Sequence, residues 1–310
     1  MQEHRPASAY TNETPSVLTI GTFDGVHIGH RAILNRLVTS AQKEGLQSVL
    51  LTFFPHPRMV LQKDTNIQML NTLSEKKALL EQTGLDHLVI HPFTKQFSRM
   101  TAVEYVRDFL VNKLKAKKII IGYDHRFGRN RTANIVDLKE MGITYGFEVE
   151  EISVQELDDV AVSSTKIRKA LWEGDVTTAN NYLGYPYMIT GTVVKGKGIG
   201  KTWHYPTANL QPSQEYKLIP KNGVYVTKAL MKGEKKYGIT SIGTNPTVGG
   251  KKRTIETFFL DTEANLYGEG LQLEFLKFIR NEATFETVEK LKDAIKEDET
   301  FARKYIAENG

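Results

Sequence analysis

The stretch Val17-Leu18-Thr19-Ile20-Gly21-Thr22-Phe23-Asp24-Gly25-Val26-His27-Ile28-Gly29-His30 constrains the first half of this chain more than any other. It opens as a short apolar run with β-branched residues, the pattern of a buried strand. Gly21 and Gly25 then allow a sharp bend or a close approach to a ligand. His27-x-Gly29-His30 follows, and a helical pattern runs from Arg31 to Glu44. A strand, a glycine turn and a helix start in that order make an anion site, because free N–H groups and a dipole of ~0.5 charge face the turn. If the helix begins near Val26, the two histidines share a face and can reach one anion. Taken alone, His-x-Gly-His would equally be a helical turn with two surface histidines. The preceding strand and the Gly-Thr-Phe-Asp-Gly turn favour a nucleotide site.

The rest of the first half alternates strand and helix. Residues 1–15 read as a loose arm or an edge segment. Gln47 to Phe54 predicts a second strand, leading into Phe54-Pro55-His56-Pro57-Arg58. The two prolines force an extended loop, either a plain connector or a ligand loop at the carboxyl edge of a parallel sheet. The pattern predicts a helix over Leu73–Thr83 with Ser74 as N-cap, and a strand over His87–His91. It then predicts an amphipathic helix over Thr101–Leu114 and a strand over Lys118–Gly122. Such alternation implies βαβ units and a parallel sheet. Gly122-Tyr123-Asp124-His125-Arg126-Phe127-Gly128-Arg129-Asn130-Arg131 is either a solvated loop or one whose arginine forks meet phosphate and whose Asp124 accepts from a nucleoside. A further strand is expected over Phe147–Ile152. Val162-Ser163-Ser164-Thr165-Lys166-Ile167-Arg168 starts a helix capped by Ser163 or Ser164. It is either simple capping chemistry or a set of hydroxyls and cations for phosphates. A helical segment over Asp175–Leu183 closes the first domain.

The pattern changes at Leu183-Gly184-Tyr185-Pro186. Short strands are expected over Tyr187–Val194, Val224–Lys232, Lys236–Ile242, Arg253–Leu260 and Leu271–Ile279, with glycine and proline turns between them. That suggests a small antiparallel barrel closed by a helix over Phe285–Ala307. The domains are accordingly 1–183 and 184–310. Lys195-Gly196-Lys197-Gly198-Ile199-Gly200-Lys201-Thr202 nearly matches a phosphate-binding Walker loop, but lysine stands where the first glycine belongs and no helix pattern follows. Tyr205-Pro206-Thr207-Ala208-Asn209-Leu210 comes next, locally a turn, and Gly243-Thr244-Asn245-Pro246-Thr247 reads as another. In Thr254-Ile255-Glu256-Thr257-Phe258, a strand would point Glu256 away from Ile255 and Thr257. Read locally, Glu256 is a surface carboxylate.

The motifs together resemble the bacterial bifunctional riboflavin kinase/FAD synthetases. The first segment is similar to the adenylyl- and cytidylyltransferase signature, which occurs on a Rossmann-like fold shared with class I aminoacyl-tRNA synthetases. Pro-His-Pro after the second strand, Gly-x-Asp-x-Arg-Phe-Gly, Ser-Ser-Thr-x-Ile-Arg and Pro-Thr-Ala-Asn follow in the family's order. The resemblance implies an α/β domain with a parallel sheet, then a small antiparallel β-barrel with a C-terminal helix. It implies phosphorylation of riboflavin to FMN by the second domain and adenylylation of FMN to FAD by the first, with ATP and Mg²⁺. Gly21, Phe23, Asp24, His27, His30, Asp124, Ser164 and Arg168 would meet the nucleotide of adenylylation, with His27 and His30 catalytic. Gly196, Gly198, Gly200, Lys201, Thr207 and Asn209 would hold the kinase nucleotide. Thr207 and Asn209 would bind Mg²⁺, Glu256 would be the base, and Arg280 would lie near the flavin. Three details depart from the family: His204-Tyr205 replaces Gly-Phe, Asn245 replaces Arg, and Asn281 replaces Asp.

Composition narrows the alternatives. The chain has 310 residues, 40% hydrophobic and 25% charged, enough for about two domains. Its net charge of +5 is spread along the sequence, which argues for polyphosphate ligands over nucleic acid. Cysteine is absent, so disulfides and thiolate chemistry are excluded. No apolar run approaches the ~20 residues of a membrane helix. The reading is a cytoplasmic enzyme of small-molecule substrates, with self-association left open. One rival is a class I synthetase, against which stands the lack of a Lys-Met-Ser-Lys-Ser-like loop. The other is a non-catalytic flavin binder that kept the fold.

Overall fold

Strand β2 (Ser16–Ile20) is buried at every position and sits inside a six-stranded sheet. The structure is a computed structural model describing residues 1–61, 67–122, 125–153, 162–196, 205–247, 250–262 and 266–310. It divides into residues 1–68 with 73–163, and residues 69–72 with 164–310.

In the first unit, β1 (Gln2–His4), β3 (Gln47–Phe53), β4 (His87–His91), β5 (Ala116–Gly122) and β6 (Glu148–Ile152) join β2. All pairings are parallel, in the order β1-β4-β3-β2-β5-β6. Continuous apolar burial along β2, β3 and β4 is what a parallel sheet needs when both faces are covered. Helices α1 (Ile28–Glu44), α2 (Pro57–Leu61), α3 (Leu73–Glu81), α4 (Ala102–Glu104) and α5 (Ile135–Tyr145) punctuate the strands. The order reverses at β2, with β3 and β4 on one side and β5 and β6 on the other. In such a sheet the crevice beyond the carboxyl ends at the reversal is where ligands bind.

The second unit contains α6 (Ser164–Glu173), α7 (Val176–Leu183) and a closed barrel. The barrel strands are β7 (Tyr187–Val194), β8 (Thr207–Pro212), β9 (Gly223–Met231), β10 (Glu234–Thr247), β11 (Gly250–Phe259) and β12 (Gly270–Arg280). They close in the order β10-β11-β8-β7-β12-β9, every pair antiparallel. Helix α8 (Val288–Asn309) packs Tyr305 and Ile306 with Val226 and Ile239 of the barrel.

The fold class is as expected, with local differences. The 1–15 arm is an edge segment, its β1 paired with β4. Ser74 lies inside α3, which already starts at Leu73. The helix capped by Thr101 passes after Glu104 into a π-helix, Tyr105–Lys113. The two segments read as turns are strands: Thr207–Pro212 is β8, and Gly243–Thr247 is the end of β10. Barrel closure forces these polar stretches into ladder pairing, which local turn chemistry cannot foresee.

Candidate active sites

Helix α1 starts at Ile28, with His27 as its N-cap. The His27 Nδ1 accepts the His30 N–H at 3.3 Å, so this histidine itself fixes the helix start. The two imidazoles stack with centroids 3.6 Å apart, and Phe23 lies against His30 at 4.7 Å. Gly21 is required there, because a Cβ would meet the Phe23 ring at 2.9 Å. Burial pushes the His27 imidazole down to about 4, against the pull of Asp24. Burial, then His27 and Lys76, push His30 well below the ordinary histidine range. Both rings are therefore neutral at pH 7. The His30 Nδ1 is buried without a hydrogen-bond partner among the described residues, so it is open to an acceptor brought by a ligand.

Beside this turn lies a cavity of about 500 Å³ at the carboxyl ends of β2 and β3. Phe53, Phe93, Phe97, Tyr105 and Phe127 give it aromatic walls, and Arg58, Arg126 and Arg131 add cationic ones. Phe97 meets Phe53 at 5.5 Å and Phe93 at 5.9 Å, with rings tilted or edge-on. Thr22 and Gly21 belong to the same lining, so the cavity is continuous with the histidine turn. Large apolar walls with a few convergent charges suit a planar aromatic ligand that carries phosphate. Of these residues, Gly21 and Thr22, the Pro57-Arg58 end of the loop after β3 and the arginine loop after β5 stand out in the sequence. Phe53, Phe93 and Phe97 do not stand out, because they lie at the end of β3 and in the loop after β4 with no motif around them. Asp124 lies outside the described residues. Ser164 and Arg168 fall in the first turns of α6, within the second unit.

A second constellation forms on the barrel. Asn209 of β8 stands opposite Glu256 of β11, and Thr207 stands opposite Phe258. Side chains opposed in an antiparallel pair share a face. Glu256 alternates with buried Ile255 and Thr257, so it points away from the barrel interior, as the sequence requires. The Thr207 Oγ1 is 3.5 Å from Glu256 Oε2. Gly196 closes this group, because a Cβ would meet the Asn209 Cγ at 2.7 Å. Gly198, Gly200 and Lys201 lie outside the described residues. Arg280 makes a two-pronged pair with Asp298 of α8 at 2.9 and 2.8 Å and lies over Phe285 at 5.5 Å. Burial raises the Asp298 carboxyl while the pair with Arg280 opposes it. Its guanidinium thus binds barrel to helix, and the structure does not bring it together with Thr207, Asn209 and Glu256 in any hydrogen bond or ion pair among the described residues.

Comparison with known proteins gives two domain matches, FAD synthetase over residues 9–166 and riboflavin kinase over residues 183–306. A protein named bifunctional riboflavin kinase/FMN adenylyltransferase from Escherichia coli strain K12 is 37% identical over 291 residues, 94% of this chain and 92% of its own. One of the same name from Listeria monocytogenes is 36% identical over 293 residues, again covering 94% and 92%. A crystal structure described as a macrolide-efflux protein from Streptococcus pneumoniae superposes with a TM-score of 0.89 at 30% identity, covering 97% of this chain and 98% of that one.

Proposed function

The chain belongs to the bifunctional riboflavin kinase/FMN adenylyltransferase family, and from that premise we propose which residues carry each of its two reactions. Its second domain phosphorylates riboflavin with ATP to FMN and ADP. Its first joins FMN to the AMP part of a second ATP, releasing pyrophosphate. The riboflavin kinase match begins at residue 183, which supports a functional division between 183 and 184, although α6 and α7 pack within the barrel unit.

For adenylylation, the cavity beside the Gly21 turn takes FMN. Its aromatic walls hold the isoalloxazine ring, and Arg58, Arg126 and Arg131 draw the FMN phosphate. That phosphate is already a nucleophile, so no general base is needed. One of its oxygens attacks the α-phosphorus of ATP as the bond to the β-phosphate bridging oxygen breaks. Neutral His27 and His30, with the N-terminus of α1, donate hydrogen bonds to the developing charge. Gly21, Phe23 and Asp24 shape this pocket. The nucleotide roles of Asp124, Ser164 and Arg168 rest on the family resemblance.

For the kinase, Thr207 and Asn209 offer hard oxygen donors, and Gly196 leaves the space above Asn209 clear of a Cβ. These residues fit Mg²⁺ with ATP phosphates, and the ion would neutralise phosphate charge there. Glu256 takes the proton of the ribityl 5′-hydroxyl as that oxygen attacks the γ-phosphorus. Positioning does most of the work. Arg280 then acts indirectly, by fixing the end of β12. Gly198, Gly200 and Lys201 complete the loop by resemblance. Substrates of this kind and a cysteine-free chain suit a cytoplasmic location.

The observation that carries this reading is the Gly21–Thr22 turn, which lines an aromatic, arginine-rich cavity and leads into the stacked histidine pair. The test is to incubate the protein with ATP, Mg²⁺ and either riboflavin or FMN and to separate the flavins. FAD from FMN, lost in Phe97→Ala with FMN formation from riboflavin intact, supports the cavity assignment. An unchanged KM for FMN in that variant removes it.

A further inference from the structure

Lys76 is a lysine in the wrong place for a surface helix. With Leu73 and Leu80 it falls on one stripe of α3, at spacings of three and four. Leu80 is fully buried, Leu73 is half-buried, and Lys76 is only 4% exposed. Lysine is almost never so buried unless something holds its charge. Here the Nζ donates to the Thr22 carbonyl at 2.6 Å, inside the Gly21–Val26 turn. The Thr52 hydroxyl donates to the same oxygen at 3.3 Å. Asp24, itself 1% exposed, is the acidic group whose field favours the ammonium, while burial opposes it.

The turn needs such a clamp. Phe23 and Val26 have φ of 46° and 35°, and Gly25 has 92°. Left-handed backbone at a phenylalanine and a β-branched valine costs ~1–3 kcal/mol each and persists only where the surroundings over-determine it. Among its contacts, the Gly21 N–H donates to Leu51 O at 3.1 Å, the Val26 N–H to Phe23 O at 3.2 Å and the Arg31 Nε–H to Val26 O at 3.3 Å, near the end of the turn. Lys76 adds a charged donor at the apex. The turn ends at His27, the N-cap, so any slack in it moves both imidazoles.

We propose that Lys76 is a positioning residue for adenylyl transfer, holding the strained Gly21–Val26 turn through the Thr22 carbonyl so that His27 and His30 meet the α-phosphate. This rests on the reading that those two histidines face ATP. A charge-assisted hydrogen bond suits the task, being shorter and stronger than a neutral one. The lysine acts on the substrate only through the turn and through the field it sets at His30.

The test compares Lys76→Met with the native enzyme, using the whole chain. Lys76→Met should lower kcat for FAD formation by ~100-fold, the scale of a small misplacement of catalytic groups. Riboflavin phosphorylation should be unchanged, and KM for FMN should stay within about threefold, since the aromatic walls and arginines of the cavity are untouched. The second readout is the acid limb of the FAD-forming pH profile. The groups that act on His30 are His27 and Lys76, both lowering its affinity for protons, and Asp24 acts on His27 and Lys76 in the opposite sense. Removing the ammonium lets His30 bind protons more readily, so the limb should move to higher pH. A lysine whose charge does not act on His30 would lower the amount of active enzyme and leave the limb in place. If Lys76→Met fails to fold, Thr52→Val decides: kcat lower by about fivefold at unchanged KM supports the clamp, and unchanged kcat overturns it. A kcat within about threefold of native in Lys76→Met, or an unmoved acid limb, also overturns it. The reading beneath is checked separately: full FAD formation by His27→Ala removes the histidine site, whereas its loss beside a fully active Lys76→Met removes the clamp alone.

Discussion

The two active centres use the chain in opposite ways. The histidine pair proposed for adenylyl transfer is local, since ten consecutive residues from Gly21 to His30 give a turn, an N-cap and two stacked imidazoles. The proposed kinase centre is assembled across the barrel. Thr207, Asn209 and Glu256 come from β8 and β11, brought together by register, and Gly196 lies just beyond the end of β7. The first centre fails when a local group is lost. The second fails when a group is lost or when strands slip, because a one-residue slip would turn Glu256 into the barrel.

The largest effects should come from removing the reacting groups themselves. His27→Ala combined with His30→Ala should cut FAD formation by ~10³-fold or more, the scale of lost transition-state donors. FMN formation should be unaffected. Glu256→Gln should do the reverse, with riboflavin phosphorylation falling by ~10²–10⁴-fold. Separate assays with FMN or riboflavin as acceptor measure both. A single change that abolished both reactions would break the separation of the centres.

Gly196→Ala comes next. The added methyl meets Asn209, so either the loop or the carboxamide must move. KM for ATP in the kinase reaction should rise by ~10-fold or more, because positioning of the phosphates is lost. FAD formation from supplied FMN should stay at the native level. An unchanged kinase KM would show that Asn209 does not hold the nucleotide.

Acid should separate the units by stability. His27 titrates at about 4 when folded against 6.5 ordinarily, so the unfolded chain binds more protons below about 6.5. Stability of the first unit is therefore intact above that pH and falls as pH drops toward 4, by up to ~3 kcal/mol from this group. His30, His87 and His91 shift in the same direction, each chiefly through burial. The second unit has one histidine, His204. Hydrogen exchange at pH 4.5 should show the parallel sheet opening before the barrel. Equal protection in both would contradict it.

How much of this was legible in the sequence follows the same division. The strand–turn–helix could be read because its information lies in adjacent residues, and the alternation after it fixed the parallel sheet. The capping box at Thr101 and Glu104 was not read, and neither was the π-helix beyond it, which has no local signal. In the barrel β7, β9 and β12 are found nearly at their observed limits, whereas β10 runs on to Thr247 and β11 starts already at Gly250. Thr207–Pro212 was not, because Pro-Thr-Ala-Asn has turn composition and becomes a strand only by pairing with β7 and β11. The role of Glu256 depends on that pairing and so was visible only through family resemblance. Lys76 left one physical trace, a cation on an apolar helical stripe. The aromatic cavity left less, since its phenylalanines are scattered over β3 and the loop after β4 and converge only in three dimensions.

The smallest expected effect tests register itself. Thr227, Thr240 and Thr257 form a hydroxyl row across β9, β10 and β11, with Thr240 bonded to both neighbours at 2.8 Å. All three are 0–1% exposed, inside the barrel and behind the strand that presents Glu256. Thr240→Val keeps the shape but leaves the outer two hydroxyls without their shared partner, although Thr227 keeps the Gly238 carbonyl at 3.2 Å. The loss should be ~1–2 kcal/mol of barrel stability, read as a lower midpoint in denaturant followed through the kinase reaction. The first unit should melt as before. If the row only stabilises the barrel, kcat for riboflavin phosphorylation in mild buffer should not change. If it also sets the β10–β11 register, kcat should fall, and Thr257→Val, one residue from Glu256, should lower it further. The second outcome would show that the kinase centre depends on the interior of its barrel, whereas the histidine centre draws its geometry from a single turn and the donors that clamp it.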